Sequence, residues 1–364
     1  MRKYRRLLLI ATVLLIIFGL LMIYSSSYIW AEYKFNDAFK YLKQQALFAA
    51  VGFILLYFTS KVNSDIFYKK ANLFLIICLV LLVLVAIPGI GVIRNGSRSW
   101  FGIGALGIQP SEFAKLGMIL FVAKYLADNN KAYKSIKKGI LPILLVMGLA
   151  FVLIMLQPDL GTGAILVATV IALIFVSGVD KKFFIALFII GGVGLVGLIA
   201  VAPYRLARIT SYLDPWSDPL GTGFQIIQSL YAIGPGGLFG FGFLNSRQKH
   251  FYLPEPQTDF IFSIICEEFG VVGALFVLVL FATIAFCGIK LAINEDDAFK
   301  KYVIFGITFQ IVLQAALNLA VVVGLIPVTG VTLPFLSYGG SSLLITMFMI
   351  GIILSLSKKR AIKK

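Results

Sequence analysis

The chain has 364 residues, of which 60% are hydrophobic and only 13% are charged. A soluble domain carries about a quarter charged residues, so this composition excludes an ordinary water-soluble protein. The apolar residues also fall in runs of roughly twenty, the length that crosses a ~30 Å hydrocarbon core. We therefore predict an all-α polytopic integral membrane protein.

The excess of positive charge has the distribution expected of a membrane protein. The formal net charge is +16, from 32 Lys and Arg against 16 Asp and Glu. Most of these cations lie in segments that alternate along the chain as inner loops, with dense groups at 2–6, 131–138 and 358–364. The positive-inside rule explains this pattern and places both termini in the cytoplasm. We therefore predict a multi-pass protein of the bacterial cytoplasmic (inner) membrane with no nucleic-acid partner.

Ten apolar spans are predicted, and the first of them is not a cleaved leader. The basic start MRKYRR precedes a run of about twenty apolar residues without a small-residue cleavage site, which indicates an uncleaved helix. We predict a single membrane domain over 1–364. The spans lie near residues 7–28, 45–60, 71–88, 109–127, 139–156, 160–178, 183–202, 259–289, 302–324 and 339–357.

Four outer loops follow from these spans. Residues 29–44 are amphipathic and aromatic, which predicts an interfacial helix on the outer leaflet. Residues 89–108 are rich in glycine, and 203–258 form a loop between spans 7 and 8 that is too long for a simple connector. Within it, Gly223 to Ala232 has the spacing of a short amphipathic helix. Residues 325–338 are broken by Pro and Gly, which is tolerated at membrane depth where backbone lines a cavity.

Carboxylates near a membrane-length helix are expensive to keep, so they suggest function. Asp259 stands at the mouth of the eighth span, where an N-cap or first-turn acid is the simple interpretation. Glu267 and Glu268 lie roughly 12–14 Å deeper along the predicted helix, too far to form a carboxylate pair with Asp259. We expect these two glutamates to lock neighbouring helices.

Three further outer acids have structural interpretations. Asp214 and Asp218 lie in Pro/Ser/Gly turns, where aspartate commonly bonds nearby backbone amides. Asp159, in QPDLGTG, is most simply the N-cap of the sixth span.

Six cations come from outer segments near the bilayer surface. Cations beside glycine-rich backbone can bind a phosphate or diphosphate head group through bidentate arginine contacts. Attraction to ordinary anionic lipid explains the same charges. These candidate substrate-binding residues are Arg94, Arg98, Arg205, Arg208, Arg247 and Lys249.

Glu112 and Lys115 lie three residues apart on one face of the fourth span. Opposite charges in a membrane helix pair with each other or with a neighbour, so both a structural ion pair and a substrate contact are open.

No metal site is predicted from side chains. The only histidine is His250, which rules out a histidine cluster. Cys78, Cys266 and Cys287 fall in apolar runs at no metal-ligand spacing, as expected of small buried hydrophobic residues.

Six segments together resemble the signature of the SEDS family, whose members are the FtsW, RodA and SpoVE proteins. They are NGSRSWFGIG with QPSEFAKL, QPDLGTG, YLPEPQTDFIF, CEEFG and GLIPVTGVTLPFLSYGGSS. The resemblance covers essentially the whole chain in the right order, and it is closer to the FtsW/SpoVE branch than to RodA.

This resemblance implies a ten-helix glycosyltransferase that polymerises lipid II into glycan strands at the outer face of the membrane, for cell division or the spore cortex. It implies that Asp259 is the catalytic residue, and it matches Trp100, Glu112 and Lys115 to family positions. Many relatives have histidine where this chain has Gln257, so the resemblance implies no proton relay through a histidine at this position.

The implied chemistry is consistent with a single carboxylate. A diphosphate leaves without a general acid once its charge is neutralised, so Asp259 alone could deprotonate the attacking sugar hydroxyl. Outer cations, with or without a divalent cation such as Mg²⁺ or Mn²⁺, would stabilise the leaving group. No other cofactor is implied. The expected partners are lipid II, a class B penicillin-binding protein that crosslinks the strands, and other divisome or sporulation membrane proteins.

Three alternatives stay open. The first is a lipid II flippase, because Glu112, Lys115, Gln314 and Asn318 are polar residues inside spans and the helices are broken. The second is a RodA-like polymerase of cell elongation. The third is a non-catalytic scaffold for a partner enzyme.

Overall fold

The computed structural model describes residues 1–94, 97–102, 107–129, 139–200, 206 and 210–358, and only the backbone of residues 94, 195, 198 and 199. These residues are mostly helical. One short two-stranded antiparallel sheet is found among them, formed by β1 (Val92–Arg94) and β2 (Ser97–Trp100). The helices are α1 (Arg2–Phe35), α2 (Lys40–Thr59), α3 (Ser64–Ala86), α4 (Pro110–Asp128), α5 (Leu141–Met155), α6 (Leu160–Val176), α7 (Lys181–Ala200), α8 (Phe224–Ile233), α9 (Ile261–Ile293), α10 (Ala298–Val322) and α11 (Gly340–Leu356).

Every predicted span coincides with a helix, which confirms the polytopic all-α class. By length and apolar composition, α1, α2, α3, α9 and α10 can cross a membrane, while three shorter helices are also apolar. The number of helices that cross the membrane stays a prediction. The short helix predicted from Gly223 to Ala232 is α8, displaced by one residue.

The helices pack as a bundle in which α1 lies on α9, α2 on α11 and α3 on α4, while α10 contacts α4, α6 and α9. Most of the described α7 side chains are exposed. The cysteines are free and buried, as predicted. Large apolar side chains also cover the outside of the bundle, which suits a protein surrounded by lipid.

The interfacial helix predicted over 29–44 does not form. Instead α1 continues to Phe35, Asn36 closes it in the left-handed conformation (φ 54°), and α2 begins at Lys40. The left-handed region is tolerated by Asn and is a common way for a helix to end. With 34 residues, α1 is about 50 Å long and exceeds the hydrocarbon core.

The three outer acids with structural interpretations behave as predicted. Asp159 is the N-cap of α6, and its Oδ1 accepts the Thr162 N–H at 3.0 Å. Asp214 accepts the N–H of Trp216, and Asp218 accepts that of Thr222.

Helix α9 is broken at Gly270, whose φ of 61° and ψ of −152° are not helical. The break leaves two N–H groups and two carbonyls without their helical partners, and residues 237–242 of the large outer loop supply all four. Gly237 and Leu238 carbonyls accept the N–H groups of residues 271 and 272, at 3.0 and 3.2 Å. In return, the N–H groups of residues 241 and 242 donate to the carbonyls of Glu267 and Glu268, both at 2.9 Å. The loop therefore replaces each lost hydrogen bond of the helix.

Glycine is required where loop and helix meet. A Cβ on Gly270 would lie 2.6 Å from the Gly237 carbonyl oxygen, and one on Gly240 would lie 2.3 Å from the Glu268 carbonyl carbon. Both glycines also have positive φ angles, which side-chain-bearing residues rarely adopt. The close contact makes residues 261–269 a separate outer half-helix that the loop holds at a fixed angle.

We expect Gly270→Ala to destabilise the fold. Strain at positive φ alone costs about 1–3 kcal/mol, and the clash with the loop backbone adds to it. Thermal unfolding in detergent micelles, followed by tryptophan fluorescence, would show a lower midpoint.

The matched control is Gly148→Ala in α5, where nothing lies within 4 Å of the added Cβ. Since alanine has the higher helix propensity, this variant should unfold at or above the wild-type midpoint. Equal midpoints for Gly270→Ala and wild type would contradict the close packing of loop and helix.

Candidate active site

Asp259 lies in the turn immediately before α9, and it is partly buried. The N-cap of α9 is Phe260 and not Asp259, so the N-cap interpretation is wrong. The side chain accepts a hydrogen bond from Thr258 Oγ1 at 2.9 Å. Its backbone carbonyl accepts one from Asn318 Nδ2 of α10 at 2.7 Å. The aspartate is thus held at its backbone, and the residue as a whole stays partly accessible.

Gln257, which replaces the histidine of many relatives, is buried two residues before Asp259. Its carbonyl accepts the Tyr338 N–H at 2.8 Å, which joins the Asp259 turn to residues 325–339. The side-chain Oε1 is buried without a hydrogen-bond partner among the described residues. A glutamine here provides packing and one backbone anchor, and no titrating group beside Asp259.

Residues 325–339 follow α10 as irregular backbone, as their Pro/Gly content predicts. Helix α2 holds their end: Gln45 Nε2 donates to the Ser337 carbonyl at 3.2 Å, and Gln45 Oε1 accepts the Gly339 N–H at 3.2 Å. Gly19 of α1 allows a close approach, since a Cβ there would lie 2.5 Å from the Phe335 carbonyl. The segment is therefore fixed from both sides of the bundle.

Glu267 and Glu268 are completely buried and hold the large outer loop. Glu267 accepts the N–H groups of Arg247 at 2.8 Å and Gln248 at 3.3 Å, and the Ser246 hydroxyl at 2.5 Å. These bonds confirm that Glu267 is an anchor, although the partner is a loop and not a neighbouring helix.

Glu268 connects the loop to α1. It accepts the Ser25 hydroxyl at 2.6 Å and forms an ion pair with Lys249 Nζ at 2.8 Å. Both side chains of the ion pair are at most 1% exposed. Ser25 was not foreseen as a site residue, although the Ser25–Ser27 run in an otherwise apolar helix is a signal for it.

The cations nearest to Asp259 in sequence are therefore engaged elsewhere. Lys249 pairs with Glu268, and Arg247 lies over the Phe241 ring at 4.8 Å while its N–H binds Glu267. Glu268 is nine residues beyond Asp259, about 13 Å along the half-helix. Lys249, predicted as a substrate-binding cation of an outer segment, is buried in this ion pair, and a direct substrate contact stays a prediction. Burial lowers the pKa of Lys249, an effect that the Glu268 hydrogen bond opposes.

The glycine-rich outer loop forms the β1–β2 hairpin, which carries three predicted site residues. Arg94 pairs with Ser97 and Trp100 with Val92 across the sheet, and the Arg94 side chain is outside the described atoms. Arg98 lies opposite Ile93, and its Nη1 is buried without a hydrogen-bond partner among the described residues. This nitrogen keeps an unused hydrogen-bond donor that is shielded from solvent in this structure.

Glu112 and Lys115 form a buried ion pair in the first two turns of α4, with Lys115 Nζ 2.9 Å from Glu112 Oε1. Lys115 Nζ also donates to Gln314 Oε1 of α10 at 2.8 Å. Desolvation raises the pKa of the nearby Asp159 carboxyl, and the Glu112 charge raises it further, while Lys115 lowers it. The structural ion pair, one of the two possibilities that the sequence leaves open, is therefore formed, and it is linked to a second helix.

The remaining two predicted cations, Arg205 and Arg208, lie outside the described residues. Within the described part of the chain, no group of three His, Cys, Asp or Glu side chains is placed to hold a metal ion. Besides Asp259, the predicted site residues that the structure describes thus lie in three groups, which are Arg94, Arg98 and Trp100 on the hairpin, Glu112 with Lys115 in α4, and Arg247 with Lys249 in the large outer loop.

Comparison with known proteins gives a consistent picture over the whole chain. The model of the family FTSW_RODA_SPOVE, described as cell cycle protein, matches residues 5–362. Stage V sporulation protein E of Bacillus subtilis (strain 168) is 53% identical over 352 residues, which cover 97% of this chain and 96% of the relative. A probable peptidoglycan glycosyltransferase FtsW of Geobacter sp. (strain M18) is 38% identical over 356 residues, covering 98% and 97%.

Solved structures share the same fold. One of them comes from work on the structural coordination of polymerization and crosslinking by a peptidoglycan synthase complex. It superposes on this chain with a TM-score of 0.79 at 30% sequence identity, and the match covers 96% of each chain. The crystal structure of the rod shape determining protein RodA of Thermus thermophilus gives a TM-score of 0.70 at 27% identity, covering 96% of this chain and 95% of RodA.

We expect Lys249→Met to destabilise the protein strongly. Breaking a buried pair leaves an uncompensated charge, which costs about 3–5 kcal/mol, whereas replacing both partners is far milder. The double variant Lys249→Met/Glu268→Gln should therefore recover much of the thermal midpoint lost by Lys249→Met, as measured by unfolding in detergent micelles.

Lys43→Met is the control for this experiment, because Lys43 forms an exposed ion pair with Asp37. Exposed pairs contribute little, so its midpoint should match wild type. A Lys249→Met protein as stable as the Lys43→Met protein would show that the buried pair does not hold the loop.

Proposed function

Because the chain belongs to the SEDS family of FtsW, RodA and SpoVE proteins, on its FtsW/SpoVE side, we propose that it is a peptidoglycan glycosyltransferase. It polymerises lipid II into glycan strands at the outer face of the bacterial cytoplasmic membrane. Its role is in cell division or spore cortex synthesis, and a RodA-like role in elongation is the nearest alternative.

The observation that carries this proposal is the way in which hydrogen bonds hold the backbone around Asp259. Its backbone is fixed by Asn318, nearby Gln257 is fixed by Tyr338, and the Asp259 residue remains partly exposed in the turn before α9. A general base must be held in one geometry and still be accessible to the substrate. Asp259 combines these properties, whereas Glu267 and Glu268 are buried and engaged with the loop.

Asp259 acts as the general base of a single displacement. The 4-hydroxyl oxygen of the acceptor sugar attacks the anomeric carbon of the donor, and its proton passes to the Asp259 carboxylate. A new glycosidic bond forms as the bond between the anomeric carbon and the diphosphate oxygen breaks. The diphosphate leaves with the electron pair, so no general acid is required. An α-linked donor gives a β-linked product by inversion.

Cations of the outer segments stabilise the departing diphosphate. Arg98 is one of them, and the β1–β2 hairpin holds it opposite Ile93. Arg94, Arg205, Arg208 and Trp100 complete the proposed substrate-binding set of the outer loops. No step is assigned to Mg²⁺ or Mn²⁺.

Lys249 and Arg247 support the site indirectly in this proposal. Lys249 is occupied by Glu268, and Arg247 donates its N–H to Glu267. They fix the half-helix that begins two residues after Asp259. Direct contact of either side chain with the diphosphate remains a prediction from the sequence.

A class B penicillin-binding protein is the proposed partner, together with other divisome or sporulation membrane proteins. One structural neighbour comes from a peptidoglycan synthase complex that coordinates polymerization with crosslinking. The described residues contain no water-soluble domain that would carry a second activity, so crosslinking is assigned to a separate chain.

We expect Asp259→Asn to abolish polymerisation of lipid II by the purified protein, because losing a general base costs about 10²–10⁴-fold. The measurement is the yield of glycan polymer by gel electrophoresis. Asp214→Asn is the matched control, since Asp214 caps a turn of the same loop and Asn keeps that acceptor oxygen. Wild-type polymerisation by folded Asp259→Asn would refute the proposed mechanism.

A flippase is the main alternative, and it depends on different residues. The Glu112–Lys115 pair is buried between α4 and α10, whereas Asp259 is partly exposed in the turn before α9. A polymerase should lose glycan synthesis with Asp259→Asn and show no lipid II translocation in vesicles, with or without Glu112→Gln. Translocation by wild type that Glu112→Gln removes and Asp259→Asn leaves intact would favour the flippase.

A further inference from the structure

Helix α10 carries three amide side chains at four-residue spacing, Gln310, Gln314 and Asn318, which places them on one face. All three are at most 3% exposed. Amides inside a membrane helix are costly unless their polar atoms find partners, so each should have a structural or functional reason. Gln314 and Asn318 donate hydrogen bonds to backbone carbonyls, whereas Gln310 donates to a sulphur atom, and this difference separates the first two from the third.

Asn318 uses both of its N–H bonds to hold irregular backbone. Its Nδ2 donates to the Asp259 carbonyl at 2.7 Å and to the Val331 carbonyl at 2.8 Å. The Asp259 carbonyl is available because the first turn of α9 is tight, with Ser263 N–H donating to the Phe260 carbonyl. One side chain of α10 thus fixes both the Asp259 turn and the segment after α10.

The remaining polar atom of Asn318 points to the same conclusion. Its Oδ1 is buried without a hydrogen-bond partner among the described residues. The amide therefore has a cost that an apolar side chain of similar size would avoid. The two hydrogen bonds from Asn318 to the Asp259 and Val331 carbonyls offset this cost.

Gln314 connects the same place to the buried ion pair of α4. Its Nε2 donates to the Thr332 carbonyl at 3.1 Å, and its Oε1 accepts from Lys115 Nζ at 2.8 Å. Thr332 follows Val331, which Asn318 holds. A continuous set of bonds therefore leads from Glu112 and Lys115 through Gln314 and residues 331–332 to Asn318 and Asp259.

We propose that Asn318 is a positioning residue for the Asp259 carboxylate and that Gln314 couples it to the Glu112–Lys115 pair. This inference rests on the proposed role of Asp259 as general base. It gives the buried ion pair a function at a distance: the charges orient Gln314, and they need not touch the substrate. Neither amide contacts the reacting atoms in this scheme.

The test is steady-state polymerisation of lipid II by the purified full-length protein. Asn318→Leu removes both donors at similar volume, and a misplaced base of this kind costs about 10²-fold in kcat. KM should stay close to wild type, because the substrate-binding cations are untouched. Asn318→Gln keeps the donors on a longer side chain and should recover part of the lost kcat.

Gln310→Leu is the matched control, since Gln310 lies on the same face but its Nε2 donates to the Met349 sulphur at 3.8 Å, with no other hydrogen-bond partner among the described residues. It should keep wild-type kcat. The double variant Gln314→Leu/Asn318→Leu should lose little more kcat than Asn318→Leu, because both substitutions displace the same carboxylate.

Three outcomes would overturn the inference: wild-type kcat for Asn318→Leu, an equal loss for Gln310→Leu, or independent losses that multiply in the double variant. Asp259→Asn is measured in the same assay. If Asp259→Asn is active, the proposed general base is wrong. If Asp259→Asn is inactive while Asn318→Leu is fully active, only the positioning role is wrong.

Discussion

The structure depends on one constraint, which is that backbone N–H and C=O groups away from water must all have partners. Helix α9 meets this constraint although it is broken at Gly270, because residues 237–242 replace the missing bonds on both sides of the break. The large outer loop is consequently part of the helix packing. Its position determines the direction of the outer half-helix, and with it the place of Asp259.

Buried charge reinforces this arrangement. Glu267 gathers three consecutive loop residues, and Glu268 joins Lys249 of the loop to Ser25 of α1. A buried carboxylate is stable only when hydrogen bonds and counter-charges surround it. The same interactions that neutralise the two glutamates therefore join the loop, α1 and α9 into one unit. Asp259 lies at the edge of this unit and is the acid proposed for chemistry.

The Asp259 turn is also held from the opposite side of the bundle. Asn318 binds its carbonyl, and Tyr338 binds the carbonyl of Gln257. Residues 325–339 are themselves fastened to α2 by Gln45 and to α10 by Gln314. Two irregular segments, each unable to satisfy its own backbone, thus become rigid by bonding to polar side chains of adjacent helices.

Hydrophobic runs were sufficient to predict the helices, and the signature segments were sufficient to predict the family. The position of Asp159 before a helix was sufficient to predict its hydrogen bonds. All three features depend on composition and on neighbours within a few residues. The partners of Lys249, Glu268 and Asn318 could not be predicted in this way. Lys249 lies ten residues before Asp259 in the chain, yet it pairs with Glu268 at the far end of the half-helix. Only the tertiary structure decided this, since a buried charge takes the partner that folding brings within reach, whatever its distance along the sequence.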